Sequence, residues 1–308
     1  MSAPTSRLEA LVRSRRFVVT SEVVPPRSAD LASVERQARE LVGYADAVNL
    51  TDNPTASAHM SPVAGAAVVA RSGLEPTLQL TVRDRNRLAL AADLMGGWAL
   101  GARNLLALTG DPLSAGDHPE AAAVNDLDTL GLIGLARSLR EEGRLPNGTE
   151  ISEPPRFFVG VADTPLVERY DPARLEVKLD AGAAFVMTQI AYDVDRLATW
   201  ATRLRERGVM ERAWVIVGVA PLRSARQARY MNDHLPGVTV PAETIGALEE
   251  AGPDAERVGT AQCVQIIGRL REIPGVAGVH VMGMGREEVV RHVIEGAGLL
   301  PRPIVEAT

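Results

Sequence analysis

Acidic and amide side chains follow several short apolar runs of this sequence, a placement typical of acid–base chemistry at one end of a parallel sheet. These polar positions are Glu22, Asp52, Asp84, Asp111 and Gln189. Apolar surroundings favour the protonated form of a carboxyl group, so Glu22, which ends an otherwise apolar run, suits a general acid near neutral pH. The structural alternative for Glu22 is an ion pair with Arg27 or Arg83.

Two further positions suit ligand binding. Asp111 follows Thr109-Gly110, and a glycine there lets a ligand approach the backbone amide closely. Gln189 ends a wholly apolar run, and a buried amide needs hydrogen-bond partners that a ligand with donors and acceptors can supply. An ordinary turn closed by Asp111, and a core glutamine bonded within the protein, are the alternatives.

Other kinds of site find little support. None of the five histidines has a spacing to another that resembles a metal site, so we expect no metal. No Gly-x-Gly-x-x-Gly follows a predicted strand, which argues against a Rossmann nucleotide site. Residues 283–285 (Gly-Met-Gly) open the last predicted helix, where barrels often bind phosphate, but a tight turn explains them equally well. Cys263 lies in a helical pattern and is expected to be a small buried side chain.

Eight apolar runs position these residues. Runs of this length and continuity indicate strands buried on both faces, as in a parallel sheet. We predict strands at 17–22, 47–52, 78–84, 105–111, 157–163, 185–189, 214–219 and 279–283. Helical periodicity is found at about 31–43, 60–72, 86–100, 129–142, 171–182, 194–207, 224–235 and 286–297. Eight βα units in 308 residues predict an α/β protein with a (β/α)8 TIM-barrel fold, whose site lies at the carboxyl ends of the strands.

Three segments fall outside this repeat. Residues 1–15 are expected to include a short helix at the bottom of the barrel. Residues 111–128 form a long loop after the fourth strand, on the catalytic side, and loops of that length are more often functional than idle. Residues 236–275 are expected to add two helices between strands seven and eight. With no linker or low-complexity tract in the sequence, residues 1–308 are interpreted as a single domain.

Composition narrows the class of protein. Acidic residues outnumber basic ones, 39 to 33, which gives a formal charge of −6 and argues against nucleic-acid binding. No apolar run reaches membrane-spanning length, and the amino terminus lacks a secretory signal pattern. One cysteine rules out an internal disulfide and fits a reducing compartment. A cytoplasmic protein without membrane contact is the expectation.

The strand ends together resemble the methylenetetrahydrofolate reductase family over nearly the whole chain. The strongest pieces are Glu-Val-Val-Pro-Pro-Arg at 22–27, Thr-Val-Arg-Asp-Arg-Asn at 81–86, Leu-Thr-Gly-Asp-Pro at 108–112, and Lys-Leu-Asp-Ala-Gly-Ala at 178–183 leading to Thr188-Gln189. The forms at 108–112 and 116–119 (Gly-Asp-His-Pro) are similar to the branch that also occurs fused to homocysteine methyltransferases.

The resemblance implies a barrel that reduces 5,10-methylenetetrahydrofolate to 5-methyltetrahydrofolate, with FAD relaying hydride from NADH or NADPH. Glu22 matches the general acid that protonates a folate nitrogen and opens the five-membered ring to an iminium. Asp111 matches the aspartate that bonds the pterin beside the flavin. Gln189 matches the glutamine that contacts folate and, in its absence, the nicotinamide.

Further positions match ligand contacts of the family. Thr51 matches a threonine that contacts NADH, Asp171 and Lys178 match flavin contacts, and Arg286 matches a folate contact. Gly110, whose amide is expected to face a ligand, is placed with the cofactor-binding residues.

This sequence departs from the better-known bacterial members at flavin contacts. Thr109 replaces an arginine, Gln79 a histidine, and residues 161–165 replace an Ala-Tyr-Pro-Glu-x-His-Pro stretch, while Ala225 stands where an aromatic ring packs on folate. A flavin-independent reductase with the same acid and pterin contacts therefore stays open. So does a noncatalytic partner subunit that binds folate or flavin, although Glu22, Asp111 and Gln189 together count against it. The choice between NADH and NADPH and a homo-oligomeric state are both left open by the sequence.

Overall fold

The computed structural model describes residues 3–304, and eight parallel strands in this range close into a barrel in chain order. The strands are β1 Val18–Val23, β2 Ala47–Leu50, β3 Pro76–Thr81, β4 Asn104–Leu108, β5 Phe158–Asp163, β6 Phe185–Ile190, β7 Trp214–Val219 and β8 Val276–Val281. Pairing of β1 with β8 closes the barrel, with Thr20 opposite His280. The predicted (β/α)8 TIM barrel is confirmed.

Helices surround the barrel and connect its strands. They are α1 Arg7–Arg13, α2 Leu31–Leu41, α3 Pro62–Arg71, α4 Arg87–Ala99, α5 Thr129–Glu142, α6 Ala173–Ala181, α7 Val194–Glu206, α8 Ala225–His234, α9 Ala242–Ala251, α10 Ala255–Leu270 and α11 Glu287–Gly296. Short polar residues begin several of them. Asp30 caps α2, as Asp128 caps α5 and Asp193 caps α7, each accepting a backbone N–H of the first turn.

Alternating side chains divide the strands into two faces. The outward faces pack on the helices in one large cluster that includes Val19, Val48 and Leu78. The inward faces form a second cluster, with Phe158 stacked on Phe185 at a centroid distance of 4.8 Å. This period of two is what brings alternate residues of each strand into the barrel interior.

Helix α1 covers the amino-terminal end of the barrel. Its Leu8, Leu11 and Val12 are buried in the interior cluster with Val18 and Phe158. This end is closed largely by apolar side chains, and the sites of TIM barrels lie at the opposite, carboxyl end.

The irregular segments lie where the sequence predicts them. Helices α9 and α10 are the two additional helices between β7 and β8. The long loop after β4 contains one 3₁₀ turn, Leu113–Ala115, and otherwise has irregular structure up to α5. Cys263 is buried in α10, as expected, and burial raises the pKa of its thiol to about 12.

Some strand ends differ from the prediction. β2 ends at Leu50, two residues earlier than predicted, and β3 and β4 end at Thr81 and Leu108, three residues earlier. Residues such as Asp84 and Asp111 therefore lie in the connecting loops.

Candidate functional site

Glu22 points into the barrel near its carboxyl end. Its side chain is 15% exposed, and its Oε2 lies 3.6 Å from His280 Nε2 on the neighbouring strand β8. The other ring nitrogen, Nδ1, lies 2.9 Å from Thr20 Oγ1. The imidazole is thus held between a hydroxyl and a carboxyl group, and it can pass a proton or fix the carboxyl orientation.

The ion-pair alternatives for Glu22 are not formed. Arg27 pairs with Asp117, and Arg83 pairs with Asp84 at 2.6 Å. Glu22 therefore has a histidine neighbour rather than an arginine partner.

Sequence reasoning missed His280 and Thr20 as members of this site. His280 was considered only as a metal ligand, yet it is 3% exposed and lies on the inward face of β8. The sequence signal that could have identified His280 is its position near the end of β8, two residues after Gly278 and so on the same face of the strand. Thr20 was not predicted as a site residue because threonine is common within strands.

Two of the carboxylates expected at the site have structural partners instead. Asp52 accepts hydrogen bonds from Thr81 N at 2.7 Å and from both terminal nitrogens of Arg85, at 2.7 and 3.0 Å. Asp84 accepts from Arg83 Nε at 2.6 Å. Both carboxylates lie at the carboxyl end of the barrel, where they hold the loops after β2 and β3 together.

Thr51 lies beside this network and has an unused hydroxyl group. It is 7% exposed, and its Oγ1 has no hydrogen-bond partner among residues 3–304. A buried hydroxyl without a partner costs free energy, so such a group is a candidate for contact with a ligand.

Asp111 is exposed and anchors a neighbouring turn. Its Oδ2 accepts a hydrogen bond from Thr55 N at 2.8 Å. That turn has left-handed backbone angles at three non-glycine residues: Asn53, Thr55 and Ala56. Non-glycine residues in this region are strained, and such strain concentrates at functional sites. Asp111 therefore stabilises an unusual turn, and its side chain is exposed there.

Gly110 has a structural reason for being glycine. Its φ is +93°, and an added Cβ would lie 3.1 Å from Arg83 Cβ and 3.2 Å from Thr81 Cβ. The close approach at this position is thus to neighbouring side chains of the protein.

The loop 111–128 packs over the β1–β3 side of the mouth. Asp117 pairs with Arg27 and accepts from Ala58 N at 3.2 Å, while Asp126 bonds Arg87 Nε at 2.8 Å. These contacts hold the loop against residues that follow β1, β2 and β3.

Gln189 lies on an irregularity of β6. The β6–β7 register shifts between Met187 and Ile190. The side-chain Oε1 of Gln189 accepts from Ile190 N at 2.9 Å, and its Nε2 reaches Pro236 O only at 3.5 Å. A bulge re-aims a side chain, and here it leaves the amide donors with weak partners.

The remaining predicted contacts lie at the rim. Arg286 directly precedes α11, and its guanidinium group pairs with Glu256 at 2.7 Å and with Glu288 at 2.8 Å. Asp171 is exposed, and its Oδ1 accepts from Ala173 N at 3.0 Å. Lys178 Nζ donates to Ala162 O at 2.8 Å, and burial lowers the pKa of its amine.

Next to Lys178 is a carboxyl group that sequence reasoning did not single out. Asp163, at the end of β5, accepts a hydrogen bond from the Tyr170 hydroxyl at 2.7 Å. Burial raises the pKa of Asp163, against the lowering effect of Tyr170 and Lys178.

Two features are absent from residues 3–304. No helix there is long and apolar enough to span a membrane. No three His, Cys, Asp or Glu side chains come close enough together to hold a metal ion.

Comparison with known proteins decides the family. A sequence model described as methylenetetrahydrofolate reductase matches residues 7–298. The chain belongs to the methylenetetrahydrofolate reductase family. The match includes Glu22, Asp111, Gln189 and Arg286, so the resemblance of the strand-end motifs is confirmed at the level of the family.

Relatives in this family come from animals, fungi and bacteria. A probable methylenetetrahydrofolate reductase (NADPH) of Caenorhabditis elegans is 25% identical over 95% of this chain and 44% of its own length. The 5,10-methylenetetrahydrofolate reductase of Salmonella typhimurium is 25% identical over 75% of this chain and 73% of its own. The chain thus spans less than half the length of the nematode relative.

Solved structures support the fold. An uncharacterized protein from Clostridium thermocellum, described as binding two copies of 5-methyl-5,6,7,8-tetrahydrofolic acid, has a TM-score of 0.63 at 12% identity, covering 96% of this chain and 99% of its own. DmoA from Hyphomicrobium sulfonivorans has a TM-score of 0.59 at 11% identity, covering 93% of this chain and 88% of its own. At these identities the likeness concerns the barrel alone.

Proposed function

We propose that this protein reduces 5,10-methylenetetrahydrofolate to 5-methyltetrahydrofolate at the carboxyl end of its barrel, with NADH or NADPH as the electron donor. The observation that carries the proposal is Glu22 in the barrel interior with His280 behind it, in a chain of this family. Overall, one hydride goes to the methylene carbon and one proton goes to a ring nitrogen, and NAD(P)⁺ is released.

Glu22 is the proton donor in this proposal. Its carboxyl group protonates the nitrogen between the pterin and the aminobenzoate, which breaks the bond from that nitrogen to the methylene carbon. The resulting iminium carbon is electrophilic and accepts hydride. His280 is 3.6 Å away and is held by Thr20, so it can return a proton to Glu22 between turnovers.

Asp111 and Gln189 orient the pterin. Asp111 presents a carboxylate oxygen that suits the N–H edge of a pterin, and Gln189 has both a donor and an acceptor. The weak 3.5 Å contact of Gln189 Nε2 with Pro236 O can be exchanged for a bond to a ligand. The same amide suits a nicotinamide carboxamide, which supports alternate use of one slot by the two substrates.

Thr51 is proposed as a contact of the nicotinamide donor. Its buried Oγ1 lacks a partner in the part of the chain that the structure describes. A carboxamide or ribose hydroxyl would satisfy this group, which supports the assignment made from the resemblance.

Asp171, Lys178 and the Gly110 amide can hold an FAD. The Lys178 amine has three donors, of which the contact with Ala162 O uses one, and one oxygen of the Asp171 carboxylate accepts from Ala173 N. The residues present therefore fit a flavin at the rim of the barrel, between the loop after β4 and helix α6. FAD, when bound, would accept hydride from the nicotinamide and deliver it to the folate.

A flavin-independent reductase is the second candidate, because segment 161–165 departs from the flavin-binding pattern of the family. In the structure the carboxyl group of this segment, Asp163, already accepts a hydrogen bond from Tyr170. In this case NAD(P)H transfers hydride directly to the folate, and Glu22 keeps the same role.

The visible spectrum and an anaerobic assay test the proposal together. We expect purified protein to form 5-methyltetrahydrofolate from methylenetetrahydrofolate with NADH or NADPH. Flavin absorbance that is retained through gel filtration would select the FAD route, and turnover by a colourless protein would select direct transfer. If no donor supports turnover, with or without added FAD, the reductase proposal is wrong and a noncatalytic folate- or flavin-binding subunit becomes the better account.

A further inference from the structure

Three polar side chains, Asn49, Thr77 and Asn104, form a row inside the barrel that begins beside Glu22. Glu22 is paired in register with Asn49, Asn49 with Thr77, and Thr77 with Asn104. The residues that alternate with them along the strands belong to the cluster packed on the helices, so this interior row faces the inside of the barrel. Because barrel strands tilt relative to the barrel axis, the row descends from Glu22, next to the last residue of β1, to Asn104, the first residue of β4.

Each residue of the interior row has an oxygen atom without a hydrogen-bond partner. These atoms are Asn49 Oδ1, Thr77 Oγ1 and Asn104 Oδ1, and none has a partner in the part of the chain that the structure describes. Asn49 is 1% exposed, and Thr77 and Asn104 are fully buried. A buried polar atom without a partner is costly, so three of them on neighbouring strands indicate a shared partner that is not a protein group.

Contacts of the two amide nitrogens support the direction in which the oxygens point. Asn104 Nδ2 donates to Glu75 Oε1 at 2.8 Å, and Asn49 Nδ2 donates to Met187 Sδ at 3.2 Å. Both oxygens of Glu75 also accept backbone N–H groups of α1, so Glu75 acts as an acceptor. Exchanging the oxygen and nitrogen of Asn104 would place two acceptors against each other. Glu75 therefore fixes Asn104 Oδ1 on the interior row.

Glu22 needs hydrogen-bond donors once it has given its proton to the folate. It is then a carboxylate, and the bound folate separates it from solvent. Its side chain accepts no hydrogen bond from residues 3–304, and the 3.6 Å contact with His280 is beyond hydrogen-bonding distance. Since a buried carboxylate without donors is strongly disfavoured, a donor must reach it from inside the barrel.

We propose that the interior row binds a chain of internal water molecules, and that this chain donates hydrogen bonds to the Glu22 carboxylate while folate covers the barrel mouth. One O–H of a water can bond Asn49 Oδ1 and the other can bond Glu22, while Thr77 and Asn104 hold the next waters. Buried waters make about three hydrogen bonds each and bind to groups that would otherwise lack partners. Asn49 and Thr77 are thus positioning residues that act on Glu22 through water. The inference rests on the proposed function.

Two substitutions of Thr77 separate its hydroxyl group from its shape. Thr77→Val keeps the shape and removes the hydroxyl, and it should slow formation of 5-methyltetrahydrofolate in an anaerobic single turnover by roughly 10-fold. Thr77→Ser keeps the hydroxyl and should stay within about 3-fold of wild type. A role in packing alone predicts the opposite order, because Thr77→Ser is the variant that loses a buried methyl group. Thermal melting and binding of 5-methyltetrahydrofolate check that both variants are folded.

A second variant and a control complete the kinetic test. Asn49→Leu removes the acceptor next to Glu22 at similar side-chain volume, and it should slow the same step by roughly 10-fold or more. Thr260→Val removes a hydroxyl that donates to Glu256 O at 2.9 Å on α10, outside the barrel, and it should keep the wild-type rate.

A high-resolution crystal structure tests for the waters themselves. Ordered water should lie about 3 Å from Asn49 Oδ1 and from Thr77 Oγ1, and Thr77→Val should lose at least one of these molecules. An interior row without water would overturn the inference, and so would a hydrated row in which Thr77→Val reacts at the wild-type rate; both leave the reductase proposal intact. If the wild type forms no 5-methyltetrahydrofolate with any donor, the proposed function fails, and the role given to the row fails with it.

Discussion

Glu22 combines two features that a general acid needs: it is mostly withdrawn from water, and it lies next to a group that can exchange a proton. Glu22→Gln should therefore reduce formation of 5-methyltetrahydrofolate by roughly 100-fold or more. Oxidation of NAD(P)H by an artificial acceptor such as menadione should stay within about 2-fold of wild type on the flavin route, because that reaction needs no proton at the folate. Anaerobic steady-state assays measure both.

The exposed Glu35 supplies the control for this substitution. Glu35 pairs with Arg39 on α2, and Glu35→Gln should leave both reactions unchanged. A variant at Glu22 that loses both reactions equally would show that the side chain supports the fold or the nicotinamide site rather than protonation of folate.

Glu287, at the start of α11, is a buried carboxyl group near the same centre. Burial raises its pKa, and the charges of Glu288 and Glu22 act in the same direction. Because the pKa of Glu287 is higher in the folded than in the unfolded protein, its protonated carboxyl group stabilises the fold fully below the unfolded-state pKa. This stabilisation is lost as pH rises through the folded-state pKa. Glu287→Gln should therefore raise the melting temperature by about 1–3 °C at pH 7.5 and leave it unchanged near pH 4.

The neighbouring Glu288 should behave in the opposite way. Its hydrogen bond with Arg286 lowers its pKa, so its contribution is present above the unfolded pKa and is lost as pH falls through the folded value. Glu288→Gln should lower the melting temperature slightly at pH 7.5. If the melting temperatures of Glu287→Gln and Glu288→Gln shifted in the same direction at pH 7.5, the environments assigned to these two carboxyl groups would be wrong.

Residue type alone predicted part of this centre. A carboxyl group at the end of an apolar strand is conspicuous, so Glu22 was found. The arginine partners of Asp52 and Asp84 could not be predicted from the sequence. Asp84 pairs with its direct neighbour and Asp52 with an arginine of the next loop, and the sequence does not distinguish such a paired aspartate from an unpaired one. His280 was missed because inward orientation depends on strand register, which the sequence of β8 leaves undetermined.

At the scale of elements, the site depends on how the loop after β4 packs on the turn after β2. Gly116 lies directly on that turn, and an added Cβ would be 1.8 Å from Ala56 O. Gly116→Ala should displace the loop from the strained turn held by Asp111. We expect a loss of about 1–3 kcal/mol of stability and an increase in the KM for NAD(P)H.

Gly96→Ala is a matched substitution without this conflict. Gly96 lies within α4, and an added Cβ there meets no atom within 4 Å. It should stabilise the protein by roughly 0.5–1 kcal/mol, since alanine favours a helix. Urea unfolding and steady-state kinetics of the two variants separate the effect of the loop contact from that of any added methyl group; equal behaviour would exclude a role for the loop.

The elements themselves were more predictable than their contacts. Eight apolar runs identified the eight strands because strands buried on both faces are rich in Val, Leu and Phe. The ends of β2, β3 and β4 were misplaced, since the predicted strands were extended to the first aspartate after each apolar run, and strand pairing stops two or three residues before it. The irregularity that carries Gln189 lies against Gly218, where an added Cβ would be 2.6 Å from Thr188 O, and no local sequence motif predicts it.

At the scale of the whole molecule, stability and chemistry are placed at opposite ends of the barrel. The amino-terminal end joins α1, the strands and the last described residues around one buried carboxylate, Asp46. Asp46 accepts from Val19 N at 2.8 Å, Arg7 Nη2 at 3.1 Å and Arg302 Nη2 at 2.5 Å. Because Arg7 and Arg302 come from the two ends of the chain, this cluster closes the fold on the side away from Glu22.

That separation predicts a variant that loses stability but keeps activity. Asp46 is fully buried and Arg302 is 7% exposed, so Asp46→Asn leaves a buried guanidinium group without its anion. Breaking a buried pair in this way costs roughly 3 kcal/mol or more, which corresponds to a melting temperature lower by about 5–10 °C. At 20 °C, kcat and KM should match wild type, because no contact of Asp46 reaches the carboxyl end of the barrel.

Asp195→Asn, which breaks the exposed pair with Arg269, should change the melting temperature by less than about 2 °C. If Asp46→Asn instead lowered kcat at 20 °C in proportion to its loss of stability, the two ends of the barrel would be coupled, and Glu22 would depend on the packing of the whole barrel.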